Sequence, residues 1–416
     1  MKDITFTRHL VPFLFAIVLL GACGQRSETA STTKSPDQSP SNELAGETER
    51  LLIADGQNPI VRIFDVAEGA VISNFPVAGP ASVYTGASGR FAYAVQSSAN
   101  KVDIIDGSMI FEDHGDHQHY DKFDPILVDN PLSGNNPIHF VAHDQYVAAF
   151  FDNDGEALIL DENSLLSIER SQIRIKTAMP HHGAAVPFGD SILVTRPELL
   201  PGATKGTPTG IEVYKTNGEA TGQVFGDCFS VHGEASLQNV VAFGCDDGVL
   251  LVKSSADELS ALKLKNPMID AEKRRVGTLI SNENVSFFVA NFGAGKYAKI
   301  DPESQSFEVF DAPLDYAQFI FTKDGGSLLF LGKDGQLAVV DALSGELKHK
   351  SPVTAAATGV DYGARDAKIA AGKNYVYLTN PATSELIVFS LSAMKEVGRF
   401  KVAGEPTKLT VLDFPS

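Results

Sequence analysis

Residues Tyr146–Leu160 read YVAAFFDNDGEALIL. Two apolar runs flank a turn that ends in Asp154-Gly155, and Asp-Gly between apolar runs is a strong hairpin signal. The same unit recurs where Asp247-Gly248 leads into Val249–Val252 and Asp334-Gly335 into Leu337–Val340. Its most legible strand returns as Leu51–Ala54, Phe91–Val95, Tyr146–Phe151, Ser191–Thr195, Val240–Gly244, Ser286–Ala290, Ser327–Leu331 and Tyr375–Thr379, mostly 40 to 50 residues apart. Units of four short strands at this period are propeller blades. The pattern therefore predicts an all-β chain folded as a β-propeller of eight blades. The first unit lacks an inner strand, which Thr407–Leu412 supplies, closing the ring. The count rests on faint outer strands, so a seven-bladed ring is the alternative.

The chain is long enough for this, at 416 residues with 43% hydrophobic content. Its net charge of -18 argues against nucleic-acid partners, which need Lys and Arg for phosphates. The first residues read as a targeting segment: Lys2 and Arg8, an apolar run from Leu10 to Leu20, then Leu20-Gly21-Ala22-Cys23. That tetrapeptide matches the bacterial lipobox. Residues 1–22 are read as the signal peptide and Cys23 as the lipidated first residue of the mature chain, anchored to a membrane by several acyl chains. Gly24 in place of Asp favours the outer membrane of a Gram-negative cell. The Ser-, Thr-, Glu- and Pro-rich residues up to 50 read as a disordered tether, with the propeller over 51–416. Two cysteines remain, Cys228 and Cys245. In an exported chain they read as one disulfide, with a zinc-ligating pair as the weaker alternative.

Two insertions break the period. One, in the second blade between its third and fourth strands, is Glu112–Tyr120, EDHGDHQHY, which gathers His114, His117 and His119 with Asp113 and Asp116. Imidazole and carboxylate are the usual Zn2+ ligands. Side chains alternate along an extended chain, so His117 and His119 share a side and can reach one ion. The other insertion, Arg196–Gly210, is Pro- and Gly-rich and is placed in a hairpin turn of the fourth blade.

Aligning the units adds a second cluster. Pro137-Ile-His139, Pro180-His181-His182-Gly183 and His232-Gly233-Glu234 open the inner strands of the third, fourth and fifth blades. His139, His182 and His232 thus occupy matching places and are expected to converge at one mouth of the central channel. His143, four residues on, is expected about 13 Å away at the opposite mouth, where it joins His117 and His119. The disulfide is expected to brace the loop that carries His232. No G-x-S-x-G elbow, Walker A or H-E-x-x-H sequence is present. Gly293-Ala-Gly295 lies between strands and Asp152-Asn-Asp154-Gly155 is read as a hairpin turn, so neither is taken as a ligand loop.

Taken together and in order, EDHGDHQH (112–119), NPIHFVAHD (136–144), PHHGA (180–184), Cys228 with His232-Gly-Glu-Ala, and FGCDDG (243–248) resemble the AztD family of periplasmic zinc metallochaperones over most of residues 50–416. The resemblance implies a β-propeller that binds Zn2+ and passes it to the solute-binding protein of a zinc ABC importer. Carried over by matching positions, it implies a metal region of His114, His117, His119, His139, His181, His182 and His232. It implies no catalysis. The lipobox departs from the soluble members of that family and points to capture near a membrane. The alternatives are an anchored scaffold for other proteins, or a propeller enzyme holding a cation with carboxylates.

Overall fold

The computed structural model describes residues 43–256, 258–268, 274–359 and 365–414. The expected signal peptide, Cys23 and most of the tether lie outside the described residues.

The chain forms eight four-stranded antiparallel sheets. Six of them are built from four consecutive strands running from the ring axis outward; in the second blade the fourth strand follows an inserted two-stranded hairpin. The first sheet is composite: Pro406–Leu412 lies beside Arg50–Asp55, Ile60–Asp65 and Ala70–Pro76. Its register runs antiparallel from Arg50 opposite Leu412 to Ala54 opposite Lys408. The expected closure by the C-terminal strand and the count of eight blades are both seen. One boundary differs. Leu44, Glu49 and Arg50, placed by sequence at the end of the tether, are buried against the ring.

The second strand of each blade has an apolar middle because both of its faces are covered. Arg50–Asp55, Phe91–Gln96 and Val240–Cys245 are buried at every position. Eight buried apolar clusters each join two neighbouring blades, one at every interface around the ring. Outer strands are different: Ala220–Phe225 is exposed at nearly every position, which is why their sequence signal is faint. The expected insertion Arg196–Gly210 is shorter than its composition suggests. Ser191–Glu198 and Thr207–Lys215 extend their pairing to Glu198 opposite Thr207, leaving only 199–206 as turn.

Two polar wedges cross interfaces at equivalent places. Glu162 accepts hydrogen bonds from the Tyr93 hydroxyl at 2.7 Å and the Ser88 amide at 2.6 Å. Glu49 accepts from the Tyr377 hydroxyl and, at 2.6 Å, from the Lys373 amide. Each carboxylate fits only because a glycine faces it: a Cβ on Gly86 would strike Glu162, and one on Gly372 would strike Glu49.

Strand direction separates two rims of the ring. Inner strands begin on the first rim, where second strands turn into third. They end on the second rim, where third strands lead to fourth. If closure by the last strand holds the ring, Leu412→Ala should cost about 2–5 kcal/mol, as a core truncation does, since Leu412 is fully buried. Urea denaturation measures this, and a loss below about 0.5 kcal/mol, a surface-like value, would mean that the strand merely frays.

Candidate metal centre

On the first rim three loops bring three imidazoles together. His139 lies in Pro137–His143, where pairing to the next strand slips between Pro137 and Phe140. Such irregularities re-aim a side chain. His182 precedes Ala185–Phe188 and His232 precedes Glu234–Leu237. Ring centroids are 4.7 Å apart for His139 and His182, 5.5 Å for His182 and His232, and 6.0 Å for His139 and His232. Three imidazoles bound to one tetrahedral zinc, with Zn–N of about 2.0–2.1 Å, place their centroids roughly 5 Å apart.

The rings are also turned alike. His182 Nδ1 is 2.7 Å from Asp152 Oδ2, and His232 Nδ1 is 2.6 Å from the Gly277 carbonyl. His139 Nδ1 faces Glu234 Oε2 at 3.8 Å, an ion-pair separation too long for a direct hydrogen bond. An acceptor on Nδ1 fixes the tautomer and leaves the Nε2 lone pair for a metal, the arrangement that orients ligating histidines generally. The Nε2 atoms of His139 and His182 stand 3.1 Å apart. Neighbouring nitrogens around a tetrahedral zinc would be separated by roughly 3.3 Å. Among the described residues no group of three or more His, Cys, Asp or Glu side chains stands in a metal-holding arrangement.

Two of the rings titrate differently. Burial works against charge on His139, but the nearby carboxylates of Glu234 and, more weakly, Asp152 outweigh it, so the pKa lies above the ordinary imidazole value. Burial lowers that of His232, helped by the charges of His139, Arg275 and His182, against the opposing effect of the Gly277 carbonyl. The loop beneath His232 is rigidly held. Its amide donates to the Gly244 carbonyl at 2.9 Å, and Gly244 donates back to Gly233 at 3.0 Å. Cys245 follows and is bonded to Cys228, the disulfide expected from sequence.

His181 is not joined to this set. It is buried, with Nδ1 3.0 Å from the Met179 carbonyl and Nε2 2.8 Å from Thr195 Oγ1, so neither nitrogen is turned toward the other rings. Burial lowers its pKa.

The second cluster is on the other rim. The expected loop is a β-hairpin, Met109–Asp113 with Gln118–Lys122. The Asp113 carboxylate accepts from the Gly115 amide at 2.7 Å, and Gly115 takes a positive φ of 85°. This turn adds His114 to the pair that alternation placed on one side. Centroids of His114, His117 and His119 are 4.9 to 5.2 Å apart. Asp116 Oδ1 is 2.7 Å from His117 Nδ1, and Glu112 stands 3.5 Å from His114 Nε2. The hairpin foot is tied to the first blade: Arg50 donates to the Phe123 carbonyl at 2.7 Å, and Lys122 Nζ is 3.1 Å from Asp65. His143 ends its strand on this rim as expected, with its ring 6.2 Å from Phe188 and its Nδ1 3.2 Å from Asp144 Oδ2. No contact among the described residues links it to the hairpin histidines.

Sequence reasoning missed Asp152 and Glu234. Asp152 stood inside an Asp-Asn-Asp-Gly turn, where Asp is expected for backbone reasons, and Glu234 was only a neighbour of His232. Asp152 is nevertheless buried, and its second oxygen has no hydrogen-bond partner among the described residues.

No family model matches the chain. It is 30% identical over 369 residues to the zinc chaperone AztD of Citrobacter koseri, covering 87% of this chain and 86% of that protein. The structure of apo AztD from C. koseri superposes with a TM-score of 0.79 at 29% identity, over 88% of this chain and 98% of that one. A second crystal structure of C. koseri AztD gives 0.80 at 29% identity, covering 88% and 97%. The dihydro-heme d1 dehydrogenase NirN gives 0.58 at 13% identity, covering 90% and 77%, a likeness of fold alone.

The electrostatics predict that, in an NMR titration without metal, His139 titrates above about 6.5 and His232 below it. Glu234→Gln should bring His139 below that value, since burial then acts almost unopposed. An unmoved His139 would remove Glu234 from the centre.

Proposed function

The chain belongs to the AztD family of zinc chaperones, and on that premise we propose that it takes up Zn2+ as cargo and hands it to the solute-binding protein of a zinc ABC importer. The observation that carries this reading is the common orientation of His139, His182 and His232, each with Nδ1 facing an outer acceptor. Three imidazoles leave a fourth position on a tetrahedral ion open. An incoming ligand from the receiver can enter there before any histidine leaves, so zinc passes by exchange without being released to water. The exposed hairpin histidines, with Asp116, serve as the outward-facing station. The role is binding and hand-over, without turnover of a substrate.

Proton competition sets the working range. Binding needs neutral imidazoles, so affinity falls as pH drops through about 6.5. The fall begins higher at His139, whose proton is held more tightly, and His232 stays available to lower pH.

Calorimetry of the mature protein with zinc tests the site. His182→Ala with His232→Ala should abolish the tighter binding event. Asp152→Asn should weaken it about 10–100-fold, as loss of an orienting carboxylate does. Unchanged zinc affinity in the double variant would overturn the first-rim centre, and unchanged affinity after His117→Ala with His119→Ala would remove the hairpin.

The proposed location is the periplasm, at the outer membrane, held by acyl chains on Cys23. The lipobox supports this reading. Labelling cells with a fatty-acid analogue should mark the protein and fail to mark Cys23→Ser. A labelled Cys23→Ser protein would refute the anchor.

A further inference from the structure

The flank next to the hairpin carries apolar surface that the ring does not use. Tyr120, Phe123, Ile126, Leu127, Leu166 and Ile168 are all well exposed, Ile168 completely so. Ile126 and Leu127 belong to the outermost strand of the second blade, Ile126–Ser133. Across a groove of about 510 Å³ from them stand Leu166 and Ile168 of the third blade. An outermost strand presents unpaired backbone groups, which proteins normally blunt. Here the blunting is partial. Arg170 donates to the Asp129 and Asn130 carbonyls, and Arg174 to Ser133 at 2.8 Å, where the strand is also bulged. Ile126–Val128, next to the hairpin, is left open.

Charge narrows what can lie there. From Phe111 to Ser133 the chain has six carboxylates and one lysine. That lysine, Lys122, is committed to Asp65. Asp121, Asp124 and Asp129 face solvent. The two arginines of the groove are spent on backbone carbonyls and, for Arg174, on Glu156. An anionic lipid surface would be repelled, whereas a strand bearing Lys or Arg between apolar side chains matches both features.

We propose that the open edge Ile126–Val128, with Leu166 and Ile168 facing it, docks an extended basic and apolar segment of the protein that receives zinc, added as a further strand to the second blade. This rests on the transfer reading above and names the surface through which transfer occurs. Addition of a strand to an exposed edge is a common mode of peptide recognition, with backbone bonds giving affinity and side-chain pockets giving selectivity. It would hold the receiver beside the hairpin histidines during exchange.

The test is stopped-flow transfer of zinc from the full mature protein to the solute-binding protein of the same cell's zinc importer. Leu127→Ser with Ile168→Ser alters only exposed side chains and should slow transfer about tenfold, with zinc affinity unchanged. Asp124→Asn with Asp129→Asn should slow it about threefold at low salt and flatten its salt dependence. Hydrogen exchange should find the Ile126–Val128 amides protected when the receiver is added. Undiminished transfer by both double variants, or unprotected amides, would overturn the surface while leaving the transfer reading intact. No transfer by the unsubstituted protein would sink that reading and this surface together. Co-sedimentation with phosphatidylcholine–phosphatidylglycerol vesicles that is lost in Leu127→Ser/Ile168→Ser while transfer persists would assign the flank to a membrane and equally overturn the proposal.

Discussion

Apolar burial between neighbouring blades is the constraint from which the rest of this structure follows. Each sheet is covered on both faces only if it has a neighbour on either side, and eight interfaces meet that condition only in a closed ring. Once closed, the ring fixes where every inter-strand loop emerges, within the tolerance that ring-wide packing allows. Polar groups enter the interfaces only where geometry is prepared for them, as with Glu162 and Glu49, each bonded by a tyrosine and an amide opposite a glycine. Loops on such a frame can place ligands from distant parts of the chain with little ordering left to do at binding.

The two histidine clusters show different physics on the same frame. At the axis, imidazoles from three blades are oriented by groups that are themselves fixed: a buried carboxylate, a glutamate and a backbone carbonyl. On the hairpin, three imidazoles are gathered by a single turn, in solvent, with carboxylates of the same hairpin beside them. The first arrangement restrains its imidazoles. The second leaves them hydrated and accessible. His181 and His182 make the contrast within two residues: one is consumed by Met179 and Thr195 beneath the rim, and its neighbour turns out to the axis.

Much of this was legible in the sequence, and the limits have physical causes. The second strands were readable because burial on both faces makes them continuous apolar runs. The Asp-Gly turns and the matching offsets of His139, His182 and His232 then gave the ring and its mouth. The outer strands were faint because solvent-facing positions such as Ala220–Phe225 carry no burial pattern. The Arg196–Gly210 segment misled because its prolines and glycines suggest loop, whereas Pro197 pairs opposite Pro208 beside a register shift. Asp152 was invisible for a different reason. Its partner His182 is 30 residues away, and a turn aspartate has the same local signature whether or not it also holds an imidazole.

The composite first sheet also has a consequence for how the protein is made. Arg50–Asp55 waits for a strand whose residues lie more than 350 positions later. Contacts between such remote segments close slowly, because a long loop must be ordered before they form. Synthesis therefore delivers seven sheets before the eighth can be completed. Until Pro406–Leu412 is in place, the product is an arc with two raw ends.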